Sequence, residues 1–270
     1  MKRSTVLTGL LTATAAAGVL FLQPDSGSAQ EPNGPKRAVL VELFTSEGCS
    51  SCPPADRLLV ELDERPPVAD VEIIALGEHV DYWDGLGWRD SFSSADATGR
   101  QQSYSRHFGQ NRVYTPQMIV DGAEEFVGSD KRQAQQAIQR AASRAKARLR
   151  IEPDASPGDA YSARWMIYVD SLPPKAPRNV DLYVAVTESG LSNQVSRGEN
   201  RGRTLKHTSV VRVLQKIGEF ENSPGARFEH GVELPVDPSW KRENLRVAAF
   251  VQEPAVGRVL GAASVSVAAK

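Results

Sequence analysis

Cysteine is almost missing from this chain: two occur in 270 residues, Cys49 and Cys52, with Ser50 and Ser51 between them. So sparse a supply excludes a disulfide framework, because the tiny loop that this pair closes removes little entropy from the unfolded chain. It also excludes a four-ligand structural zinc site, since no second cysteine pair and no nearby histidine pair completes the set. Neither sign of charge is in excess. Lys and Arg total 32 against 33 Asp and Glu, for a net charge of −1 without a long like-charge block. That balance gives no electrostatic footprint for nucleic acid. Apolar runs long enough to cross a bilayer are lacking after residue 22, and so are internal repeats.

The first residues set an expected compartment. Lys2 and Arg3 precede the uncharged stretch Thr5–Leu22, and Gly27 and Ala29 put small residues before a cut at Gln30. This is the layout of a secretory signal peptide over residues 1–29. The competing reading, an uncleaved membrane anchor, is disfavoured by the weakly apolar Thr, Ala and Gly that fill the stretch. The expectation is a periplasmic or secreted protein with no stable membrane span after cleavage. In such an oxidising place a CxxC pair can rest as a disulfide.

What is present centres on that pair. Residues 38–44 form an apolar run that reads as a strand, and Cys49 and Cys52 follow it directly. Pro53 and Pro54 suit the first turn of a helix, where a missing N–H costs nothing, and Leu58, Leu59 and Leu62 continue at helical spacing. Cys49 therefore stands just before a helix N-terminus and Cys52 joins the helix. Unpaired N–H groups and the helix dipole favour a thiolate there. Cys49 is the expected nucleophile and Cys52 the residue that resolves a mixed disulfide. The plainer reading is a stable local disulfide without turnover.

Further along, strands are expected at 71–77 and 118–121, with 125–127 pairing back through the Asp121-Gly122 turn. Helices are expected within 92–108, with Asp96 or Thr98 as caps, and from a Ser129-Asp130 cap to about Arg148. This order is α/β by pattern. After residue 150 the helical period fades. Short alternating runs at 164–169, 180–187, 208–214, 226–234, 245–252 and 259–267 predict an antiparallel sandwich, with a boundary near 149–158.

Thr115-Pro116 precedes the strand that starts at Met118. Together with the upstream CxxC it resembles the thioredoxin superfamily, which implies a cis bond at Thr115-Pro116 facing the CxxC. That turn would shield the disulfide and offer the Thr115 backbone to an extended substrate. The resemblance becomes narrower over Val41–Asp56, His79–Asp84, Gly87-Trp88, Arg100-Gln101, Tyr114–Met118, Gly198–His207 and Val247–Gly261. These segments look like a family of bacterial secreted proteins grouped as a domain of unknown function, DUF1223, and cover nearly all of the chain after residue 29. The resemblance implies a thioredoxin-like fold and a redox role, without a substrate. The expected fold class is thus an α/β thioredoxin-like domain over 38–149 followed by an all-β sandwich-like domain over 158–270. Glu42 stands where relatives of that superfamily keep a buried acid near the inner cysteine, although the stretch to Cys49 is one residue longer. Buried, it would relay a proton to Cys52; otherwise it is a solvated strand residue.

Residues 78–90 gather His79, Tyr82, Trp83, Trp88 and several acids after the second strand. They read either as a substrate-binding rim or as a structured insertion whose tryptophans plug a domain interface. Arg201, Arg203, Lys206 and His207 read as a solvated hairpin or as a loop reaching the CxxC face. No cofactor and no metal site is expected, although Cu(I) held by Cys49, Cys52 and His79 is chemically conceivable. The expected activity is thiol–disulfide exchange with the thiols or disulfides of other exported proteins. The alternatives are a non-catalytic binding module with a local disulfide, or a copper-handling protein. The oligomeric state is not legible.

Overall fold

Alternation and turn chemistry produce a long series of short strands with few helices. The first half runs β1 (Arg37–Thr45), α1 (Pro53–Glu64), β2 (Val71–His79), α2 (Ala95–His107), β3 (Gln117–Val120), β4 (Glu124–Val127) and α3 (Lys131–Ala142). The second half is β5 (Arg148–Pro153), β6 (Ser162–Ser171), β7 (Asn179–Glu188), β8 (Leu191–Gln194), β9 (Thr204–His207), β10 (Val210–Glu221), β11 (Phe228–Pro235), β12 (Leu245–Gln252) and β13 (Val259–Ser266). The computed structural model describes Met1 and residues 36–154, 161–223, 225 and 227–267. Apart from Met1, the expected signal peptide over residues 1–29 lies outside the described residues, as does part of the expected boundary at 149–158. No helix among the described residues is long and apolar enough to cross a membrane.

The alternation of β1 sorts its side chains onto two faces. Val39, Val41 and Leu43 pack with Ala55, Leu58, Leu59 and Leu62 of α1 and with Ala134, Ala137 and Ile138 of α3. On the opposite face Phe44 packs with Tyr104 of α2, and Leu40 packs with Ile74, Leu76, Ala185 and Phe250. Ser94 caps α2 by accepting a hydrogen bond from the Ala97 N–H, in place of the expected Asp96 or Thr98. Asp130 caps α3 as expected, but the helix ends at Ala142. Beyond it the Ala147 N–H donates to the Leu260 carbonyl, and β5 pairs β6. Sheet pairing overrides the helical pattern that continued towards Arg148.

The expected thioredoxin-like domain followed by a separate sandwich does not form. The described chain is mostly β, with three helices against thirteen strands. One mixed sheet of eight strands, in the order β13-β12-β7-β10-β2-β1-β3-β4, runs through both halves of the sequence. The halves meet where Val210 of β10 pairs in parallel with Gly77 of β2, and the Gly77 N–H donates to the Ser209 carbonyl at 2.8 Å. A Cβ at Gly77 would stand 3.2 Å from the Thr208 carbonyl oxygen, so a residue without a side chain suits this approach. The physical reason for the merger is β2 itself. Its outer edge offers unpaired backbone groups, and its Ile74 and Leu76 need apolar partners that Ala185, Ala248 and Phe250 provide. Burying one such side chain contributes about 1.5–3 kcal/mol. A three-stranded sheet, β11-β6-β5, packs its Trp165, Ile167 and Leu234 against Val184, Val186 and Val247 of the large sheet.

Candidate functional site

Cys49 and Cys52 form a disulfide with Cα atoms 5.4 Å apart. The Cys52 N–H donates to the Cys49 carbonyl, and the Cys52 carbonyl accepts from Ala55 and Asp56 as α1 begins. Cys52 is the N-cap, with prolines in the first turn, as the sequence predicted. Thr115-Pro116 is cis. A Cβ built on Gly128 would lie 3.1 Å from Pro116 Cβ and 3.2 Å from Ala55 Cβ, which sets this proline beside the first turn of α1.

Both cysteines have 0% exposure, while Ser50 and Ser51 are exposed. Two segments pack against the CxxC turn. The Trp83 indole N–H donates to Thr115 Oγ1 at 2.9 Å, and a side chain at Gly48 would meet Trp83 Cβ at 3.1 Å. From the second half, buried Asn200 donates through Nδ2 to the Glu47 carbonyl at 2.8 Å and the Cys49 carbonyl at 2.9 Å. The Ser50 N–H donates to Glu199. The segment before β9 thus reaches the CxxC turn.

Beneath the turn lies a buried polar cluster. Glu47 accepts from the Trp88 indole at 2.9 Å and from Asn193 at 3.2 Å, and its other oxygen pairs with His207 Nε2 at 3.0 Å. His79 Nδ1 pairs with Asp90 at 2.7 Å, and the two imidazoles lie 4.8 Å apart. Burial opposes charge on both His79 and Asp90, but each stabilises the other's ion, so His79 rises above its ordinary pKa and Asp90 falls below its own. Asp56, one helical turn after Cys52, accepts from Thr45 Oγ1 at 2.7 Å. Burial pushes its carboxyl up, against the pull of His207 and His79.

The sequence-predicted residues therefore divide. Cys49, Cys52, Thr115, Pro116 and Trp83 converge. Trp88 and His79 support the site from below, with His79 buried rather than on a rim. Tyr82 is partly exposed and donates to Gln101. Glu42 does not face the thiols. It is fully buried on the α2 face, where it accepts from Arg100 Nε at 2.5 Å and from the Tyr104 hydroxyl at 2.5 Å. The acid on the α1 side is Asp56, which the i, i+4 spacing from Cys52 marks. The solvated hairpin expected around His207 is not found at that residue, which is buried. Asn200 carried no signal beyond the quoted family segment Gly198–His207, and Asn193 carried none. Among the described residues no three His, Cys, Asp or Glu side chains are arranged to hold a metal ion, and His79 Nδ1 is taken by Asp90.

No curated protein matches the chain. Among solved structures it is similar to protein AGR_C_4864 of Agrobacterium tumefaciens, at 28% identity and a TM-score of 0.65, over 87% of this chain and 96% of that one. It is also similar in fold to HBP35 of Porphyromonas gingivalis, at 17% identity and a TM-score of 0.60, over 86% of this chain and 75% of that one. Residues 40–252 match the family described as a protein of unknown function, DUF1223, and the chain belongs to that family.

Proposed function

We propose that this chain is an exported thiol–disulfide oxidoreductase acting on other exported proteins in the periplasm or outside the cell. One observation carries the reading: the Cys49–Cys52 disulfide at the start of α1, beside the cis Thr115-Pro116 turn. A substrate thiolate attacks Cys49 Sγ, the Cys49–Cys52 bond breaks, and Cys52 leaves as a thiolate. A second substrate thiolate then attacks the substrate sulfur of the mixed disulfide and releases Cys49. The substrate dithiol loses two electrons and becomes a disulfide, and the protein pair gains them. Run backwards, the same steps reduce a substrate disulfide. Helix N–H groups and the dipole favour the Cys49 thiolate. Buried Asp56, whose carboxyl desolvation pushes up from its ordinary value, is suited to exchange a proton with the leaving Cys52.

The test compares the wild type with Cys49→Ser in exchange with a model disulfide; equal rates overturn the reading. Equilibration with glutathione buffers should place the pair between about −120 and −270 mV, the span of known exchange catalysts. A second reading, a binding protein with a local disulfide, is favoured by the 0% exposure of both cysteines. It requires a potential below about −300 mV and resistance to mild reductants.

A further inference from the structure

A cleft of about 830 Å³ lies on the α2 face of the large sheet, between α2 and β10. Two independent features converge in it. The first is a strand edge. β10 pairs with β2 only at Val210, so beyond that residue its outer edge pairs with no strand among the described residues. Val211, Arg212, Val213, Leu214 and Gln215 all line the cleft. A bulge at Arg212 interrupts the alternation, but Val213 and Leu214 point to opposite faces and both line the cleft, so the edge itself faces the opening. All five are partly exposed.

The second feature is a buried acid with an unsatisfied oxygen at the cleft floor. Glu78 is 1% exposed, and its Oε1 accepts no hydrogen bond. Arg100 approaches that oxygen only to 4.0 Å because it is engaged with Glu42. Two buried acidic side chains thus share one guanidinium, and burial keeps Glu78 protonated near neutral pH until a cation reaches it. Arg212, the other cation of the lining, pairs with Glu188 at 2.8 Å. Asp96, also in the lining, adds negative charge that is felt at Glu78. The floor thus holds an acid with no cation of its own, in a cleft also lined by Tyr183 and Trp240, whose rings already carry Arg100 and Arg212.

We infer that this cleft docks an extended polypeptide segment, which joins β10 as an added strand and sets a Lys or Arg side chain against Glu78. Main-chain bonds to the β10 edge supply attachment, and the buried carboxylate supplies selectivity. The site lies outside the cysteine turn and stands whether or not the pair is redox-active.

The test uses a fluorescein-labelled peptide of alternating Thr and Val with one central Lys, read by fluorescence anisotropy. Three probes accompany it: the same peptide with norleucine for Lys, an N-methylated version, and butylamine as competitor. The expected result is saturable binding of the Lys peptide, weakened roughly tenfold or more by norleucine, as for loss of one partner of a buried ion pair. Backbone N-methylation should weaken it similarly. The Lys preference should vanish in Glu78→Gln, with its fold verified by circular dichroism. The inference is overturned by no saturable binding at millimolar peptide, by equal affinity for the Lys and norleucine or methylated peptides, or by a Lys preference that survives Glu78→Gln. Displacement by butylamine as effective as by unlabelled peptide also overturns it, because strand addition would then contribute nothing.

Discussion

Replacing Glu78 by Gln should make the protein's stability less sensitive to alkaline pH, by an amount that the structure lets us work out. Burial pushes the Glu78 carboxyl up, Arg100 pulls it back and Glu42 raises it again, leaving it at about 8 against an ordinary 4.5. The folded state therefore keeps a proton that the unfolded chain releases. That contribution is fully present below about pH 4.5 and is lost as pH rises through about 8. The shift corresponds to roughly 5 kcal/mol at most, taking about 1.36 kcal/mol per pKa unit. Gln keeps the shape and cannot ionise. Its own burial adds a constant offset, so the slope is diagnostic. Urea unfolding of both proteins at several pH values from 5 to 8 should show the variant gaining on the wild type by about 1.4 kcal/mol per pH unit. Parallel profiles, or a variant that loses ground to the wild type as pH rises, would refute the picture of a desolvated carboxyl.

Three further outcomes are expected. Asn200→Ala removes two donated hydrogen bonds to buried carbonyls and should cost about 1–3 kcal/mol; reduction of the disulfide by dithiothreitol should accelerate, and an unchanged rate would mean that this segment does not bar access. Arg100→Met leaves buried Glu42 without its cation and should destabilise by about 3–5 kcal/mol at neutral pH, measured by chemical denaturation. The His79–Asp90 pair should support the fold between two limits. The His79 contribution is present below its ordinary 6.5 and lost as pH rises through its raised value, and the Asp90 contribution is present above 3.8 and lost as pH falls through its lowered value. In Asp90→Asn, burial still opposes the imidazolium and only Asp56 and Glu47 favour it, so NMR titration should find the His79 pKa lower than in the wild type.

The cysteine turn was legible because it is local. A strand, CxxC, two prolines and leucines at helical spacing all act within about one helix length. Glu42 was misplaced by parity, since strand neighbours face opposite ways: Val41 and Leu43 meet α1, and Glu42 meets Arg100 across the sheet. The fold class failed for a different reason. Nothing around Gly77 or Val210 announces that two residues so distant in sequence will pair, because strand partnership is written in edges and not in periodicity. The sequence reads as a hairpin around residues 201–207, but its strands β8 and β9 carry no signal because they are short and mostly polar. It nonetheless delivers His207 to Glu47 and Asn193 to Ser91 and Glu47.

The pairing of β10 with β2 also bears on how this architecture can be divided. A protein whose halves own their separate sheets can be cut, shuffled or fused at the linker. Here such a cut would open the β2 edge and strip Ile74 and Leu76 of Ala185, Ala248 and Phe250. The resulting fragment would carry an unprotected template for aggregation. Deletion and domain-exchange variants should therefore be inherited or lost as a whole, and the part bearing the cysteines is not a portable module.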